Sequence, residues 1–205
     1  MTDTVTTDAA STPKLELSGE QFEFLRIYIR DHDGASSGGI RLAERCYESN
    51  RTTSLGPRLG SLVETLRTAQ NEVRVIAERL AIKPSALRQA TTWLGATVGG
   101  LKLNGRWTSY SPLSRVVEIE ALTSAVSAQL RLWETLQRLV PFEHRFDAAS
   151  IEGFLARCHE LLDDLSAMHD VAADEAFTPS QDPQLATAHL TGTAQAENAD
   201  NEPPA

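Results

Sequence analysis

Apolar residues recur at helical spacing in four long stretches of the chain, and no stretch shows the sustained alternation of a strand. In the first, Phe22, Leu25, Ile29, His32, Ser36, Gly39, Ala43 and Cys46 fall on one stripe that keeps phase across Gly34, Gly38 and Gly39. Three glycines cost an isolated helix about 2–3 kcal/mol relative to alanine. The retained phase nevertheless predicts one continuous helix, opened by a Ser18/Gln21 capping box and running to about Tyr47, where a polar stretch from Ser49 to Thr53 ends it. A break at Gly34–Gly39 is the rival reading.

The second stripe starts near Pro57, a residue suited to a first turn, and buries Leu59, Leu62, Leu66, Ala69, Val73, Ile76 and Leu80. The third opens at Ser111-Pro112 and runs to Val140, with Pro141 as its stop. The fourth follows Asp147 and carries Ile151, Phe154, Leu155, Cys158, Leu161, Leu162, Leu165 and Met168. Short links join the first stripe to the second and the third to the fourth, so each pair is expected to form an antiparallel hairpin. The link between Leu80 and Ser111 is long and holds a short amphipathic segment at 84–98. The expected fold class is therefore all-α: a ferritin-like four-helix bundle of two antiparallel hairpins joined by a long crossover containing a short helix.

Charge changes the picture only at the ends. The chain of 205 residues has a formal net charge of −9, yet residues 1–17 hold −2 of it and residues 174–205 hold −6, which leaves 18–173 close to neutral. Both ends are poor in large apolar residues and are expected to be disordered tails flanking one folded domain over 18–173. An acidic N-terminus without an apolar run argues against a signal peptide, and no membrane-spanning stretch is present, so a cytoplasmic protein that does not bind membranes is expected. Cys46 and Cys158 lie on apolar helical faces, where each is expected to act as a small unpaired hydrophobe.

The stretches Ile27-Tyr28-Ile29-Arg30-Asp31-His32-Asp33-Gly34-Ala35, Leu101-Lys102-Leu103-Asn104-Gly105-Arg106 and Tyr110-Ser111-Pro112-Leu113-Ser114-Arg115 resemble those of small uncharacterised bacterial proteins grouped as ferritin-like. The resemblance covers about residues 20–140. It implies a fold and not a reaction.

Ferritin-like oxidases hold two metal ions through a Glu on each of two helices and a Glu-x-x-His on each of the others. That spacing puts carboxylate and imidazole on one face, within reach of one metal. Here no Glu has a His three residues on: Glu72 meets Val75, Glu118 meets Ala121, Glu134 meets Gln137 and Glu160 meets Asp163. No cofactor is expected, and iron or manganese are the metals a residual site would take.

Polar residues at inward positions remain as candidates: His32, Glu118, Gln129, Cys158 and His169. With ferritin-like directions, His32, Gln129 and Cys158 fall at one height, and Glu118 with His169 at another. One reading is a mononuclear metal or redox site. The favoured reading is that these groups are satisfied by hydrogen bonds, with Glu118 paired to a histidine or arginine. Adjacent residues in Asp31-His32-Asp33 diverge around the helix, so at most one faces inward.

Between Glu78 and Glu118 there is no carboxylate, while Arg79, Lys83, Arg88, Lys102, Arg106 and Arg115 are interleaved with Trp93, Trp107 and Tyr110. Lys83, Arg88, Lys102, Arg106, Arg115 and Trp107 are the candidate surface for an anionic ligand or nucleic acid. A near-neutral folded region weakens that alternative. The leading expectation is a non-catalytic structural or interaction module, not an enzyme, that self-associates or binds a protein partner.

Overall fold

A computed structural model describes residues 16–83 and 110–179. These form four helices and no strand: α1 (Gly19–Asn50), α2 (Gly56–Arg79), α3 (Pro112–Leu139) and α4 (Ala148–Phe177). α1 is unbroken across its glycines, as the retained phase requires. A Cβ added to Gly39 would stand 3.6 Å from the Ala125 Cβ on α3, an ordinary contact. The small residues therefore let two helices approach without interrupting either.

The helix ends are built by local side chains. The Ser18 hydroxyl accepts from the Gln21 N–H while the Gln21 side chain accepts from the Ser18 N–H, and Leu17 and Phe22, at the staple positions, both pack against the core. Ser111 caps α3, and the Asp147 carboxylate caps α4 by accepting from Ala149 and Ser150. α2 ends in a left-handed turn at Ala81, φ 55°, with Ile82 N–H donating to Ala77 and Ala81 N–H to Glu78. Ile82 is buried, which supplies the apolar contact such a turn recruits.

Cross-helix contacts fix the chain directions. Arg74 meets Asp33 at 3.0 Å and Arg67 meets Glu44 at 2.8 Å, so α2 runs antiparallel to α1. Tyr28 faces Thr135 at 3.5 Å and Asn50 meets Arg115 at 2.5 Å, so α3 also opposes α1. His169 meets Glu120, and Trp133 stacks on Phe154 at 4.7 Å, so α4 opposes α3. Ser150 donates to Glu72 and Arg58 faces Asp164, which sets α4 antiparallel to α2. α2 and α3 are consequently parallel. Lys83 and Tyr110 stand at opposite ends of the bundle; the short helix expected between them lies outside the described residues.

Trp133, Leu122, Leu132, Leu136, Ile119 and Leu165 form a fully buried centre where α3 meets its neighbours. The α3–α4 corner is held by Glu143, buried, whose carboxylate accepts from the Arg145 Nε at 2.7 Å and Nη2 at 2.5 Å. Arg145 in turn lies 5.2 Å over the Phe22 ring, and it holds the Glu143 carboxyl below the usual carboxylate range.

Two expected boundaries shift. α1 runs to Asn50 rather than Tyr47, because Asn50 continues the inward phase of Ala43 and Cys46 and is fully buried. α4 runs to Phe177, so residues 174–177 are helix and not tail. Ala172 and Ala176 carry the apolar phase onward, and Glu175 pairs with Arg115. The other parts of both expected tails, residues 1–15 and 180–205, lie outside the described residues.

Candidate functional site

His32 and Gln129 come together across the α1–α3 seam, lining a cavity of about 40 Å³. Its walls are the small side chains Ala35 and Gly39 of α1 and Ala125 and Ala128 of α3, closed by Ile40 and by Leu66 of α2. Gln129 is 6% exposed, and its carboxamide makes no hydrogen bond to a described residue. His32 is half-buried with Tyr28 edge-on at 4.5 Å. Burial pushes its imidazole below its ordinary value, opposed by the neighbouring Asp31 carboxylate.

Cys158, expected at the same height, does not line this cavity. It packs in the apolar core, where burial alone pushes its thiol up to about 12. The expected set of His32, Gln129 and Cys158 is thus reduced to two members, because Cys158 is not among the side chains that line the cavity.

Glu118 belongs to a second locus at the far end of the bundle. It is 3% exposed, and it accepts from Arg45 at 2.8 Å and from the Tyr110 hydroxyl at 2.9 Å. Tyr110 accepts from the Asn50 amide at 2.7 Å, Asn50 accepts from the Arg115 Nε, and Arg115 reaches Glu175. The second Asn50 N–H goes to the Cys46 carbonyl at 2.7 Å. Every polar atom of the Asn50 side chain and both Glu118 oxygens are therefore partnered, which is the condition for burying them at modest cost. Burial, with the nearby Cys46 and Glu118, raises the Tyr110 phenol. Burial beside Glu118 pushes the Cys46 thiol up to about 12.

Glu118 and His169, expected at a similar height, are not brought together as a metal site would need; Glu118 pairs with an arginine, Arg45. His169 sits beside Glu120, at 3.3 Å on an accessible face. Glu118 and Glu120 diverge by about 200° around the helix, so both cannot reach α4 from one side. Among the described residues no three His, Cys, Asp or Glu side chains converge as a metal-binding group. No helix among them is long and apolar enough to cross a membrane.

The candidate anion surface divides. Arg88, Lys102, Arg106 and Trp107 lie outside the described residues. Lys83 is exposed at one end, whereas Arg115 is at the other with its side chain only 12% accessible, committed to Asn50 and Glu175. Arg115 is a buried strut and not a free cation, because its guanidinium neutralises a carboxylate and satisfies a buried amide.

Asn50, Tyr110 and Arg45 were invisible as a cluster in the sequence. One signal for Asn50 existed, since it follows Cys46 by four residues on the inward stripe. Its partners come from distant segments, which spacing along the chain does not join. Comparison with family models, with curated proteins and with solved structures gave no match to this chain.

Proposed function

We propose that the protein is a non-catalytic helical bundle of ferritin-like topology that works by protein recognition, with a second copy of the chain as the occupant of its recognition groove. The helix directions support the topology, since antiparallel neighbours with α2 and α3 parallel require a connection that travels the bundle's length. The chemistry supports a non-catalytic role. Both thiols are held protonated by burial, and Glu118 is consumed by Arg45 and Tyr110.

The observation that carries the reading is Phe24, 61% exposed on the rim of a groove of about 360 Å³ between α1 and α3. Leu17, Leu25, Tyr28 and Leu139 line that groove, and Ile27, three residues beyond Phe24 on α1, is itself 46% exposed. A projecting ring beside a hole large enough for a ring, given that about 150 Å³ accommodates benzene, makes one patch both knob and socket. Self-complementarity of that kind is what a twofold contact between identical chains needs. Glu20, one turn before Phe24 on α1, and Arg138, one turn beyond Thr135 on α3, are both exposed and put opposite charges beside the lining residues of the two helices. A twofold sets the acidic edge of one chain against the basic edge of the other.

Light scattering on the full chain at rising concentration tests this. A dimer is expected, and Phe24→Asp is expected to be a monomer with an unchanged helical circular dichroism spectrum. A wild-type chain that stays monomeric throughout defeats the reading.

A further inference from the structure

We infer that the outer face of α1, at Arg30, Gly34 and Gly38, is the docking surface for the chain's own connection between α2 and α3, residues 84–109. This goes beyond the groove and its second copy, which lie at the N-terminal end of α1.

α1 and α4 are each antiparallel neighbours of both α2 and α3, so a connection along the outside of the bundle crosses one or the other. It has to travel ~36 Å, the length of α2 at ~1.5 Å per residue. At up to ~3.3 Å per residue, residues 84–109 reach ~80 Å, enough for that height and for the passage over a helix.

Both ends of the connection turn toward α1. Tyr110, just before α3, donates to Glu118 and accepts from the Asn50 amide of α1 at 2.7 Å. At the other end the buried Ile82 donates its N–H to the Ala77 carbonyl. Ala77 lies two turns beyond Gln70 on one stripe of α2, and the Gln70 amide reaches Ser37 of α1 at 2.8 Å. The rival route is α4, whose outer carboxylates Glu152, Asp163 and Asp170 would attract a basic segment. Neither Tyr110 nor Ile82 hydrogen-bonds to α4 among the described residues.

The outer face of α1 has room for a chain. Gly34 and Gly38 lie about 140° and 180° around the helix from the buried Ile29, turned away from both neighbouring helices. With no side chain at either, a backbone or an indole can come close over more than a turn. Arg30, one turn earlier, has its Nε buried without an acceptor among the described residues. Asp31 beside it is exposed and has no ion pair among them. Residues 84–109 bring carbonyls for the Arg30 Nε, Trp93 and Trp107 for the bare turn, and Arg88, Lys102 and Arg106, with no carboxylate of their own, for Asp31.

The test is proximity within the full chain. Arg41→Cys, three residues past Gly38, and Asp163→Cys, on the outer face of α4, are each labelled with benzophenone maleimide. Native Cys46 and Cys158, buried and held protonated, stay unlabelled. After irradiation at low protein concentration, mass spectrometry is expected to find the label at 41 joined to a residue within 84–109 of the same chain, and no such product from 163. A second readout is tryptic cutting after Arg88, Lys102 and Arg106, expected to be at least tenfold faster in Gly38→Phe than in the wild type, with an unchanged helical circular dichroism spectrum. The labelling stands by itself if Gly38→Phe fails to fold. A label at 41 that misses the segment or finds it only in a second chain, capture of the segment from 163, or wild-type cutting of folded Gly38→Phe would overturn the assignment.

Discussion

Two glycines in the α1–α2 hairpin respond oppositely to the same methyl group. At Gly39 an added Cβ meets only the Ala125 Cβ at 3.6 Å, so Gly39→Ala gains helix propensity without a clash. It is expected to raise stability by about 0.5–1 kcal/mol. At Gly56 the same atom would lie 2.6 Å from the Arg51 carbonyl oxygen, a backbone atom that the tight turn fixes. Gly56→Ala is expected to lower stability by about 1–3 kcal/mol. Urea melts of the two variants check both signs, and a shared sign contradicts this reading of the hairpin. The cysteines make a second statement at this scale. With both thiols buried and pushed up to about 12, Ellman's reagent should find neither in the native chain and both after denaturation. Rapid modification of either native thiol would reopen a reactive role.

Among the elements, α1 carries the most information. Its stripe set the helix through Gly34–Gly39 and brought His32 to the α3 seam, both readable from phase. The capping residues Ser18, Ser111 and Asp147 were equally legible, since N-caps depend on residues three apart. What phase could not supply was register between helices. Glu118 was recognisable as an inward carboxylate, but its partner is Arg45 on α1 and not His169 on α4, a choice set by helix rotation and packing. Arg115 looked like a surface cation because its neighbours in sequence are basic; its neighbours in space, Asn50 and Glu175, are acceptors. Gln129 was legible as an inward amide, whereas the cavity beside it depends on small residues from two helices coinciding in height.

The α1–α3 seam also gives the bundle a pH dependence. Burial holds folded His32 below its unfolded value of 6.5, so the unfolded chain binds the proton more readily. Its contribution to stability is present above that unfolded value and is lost as pH falls toward and through the folded one. His32→Gln should therefore flatten the decline in urea midpoint between about pH 7 and pH 5. Equal slopes in the two proteins would remove His32 as the cause. Asp31 opposes the effect by stabilising the imidazolium, and it stays in place in the variant.

At the scale of the whole molecule, the described bundle pairs its two buried carboxylates, Glu118 and Glu143, with arginines and leaves aromatic surface at the α1–α3 end. Those paired interior charges tie the helices to one another. Exposed Phe24 and Ile27 beside an apolar groove do offer something to a partner. The most direct test of recognition by a second copy is sedimentation equilibrium on the full chain, Glu20→Arg, Arg138→Glu and the double variant. Each single charge reversal is expected to weaken dimerisation severalfold, and the double variant to recover it, because a twofold sets one chain's position 20 against the other's position 138. Dimers unaffected by either reversal, or a wild-type chain that remains a monomer, would contradict it.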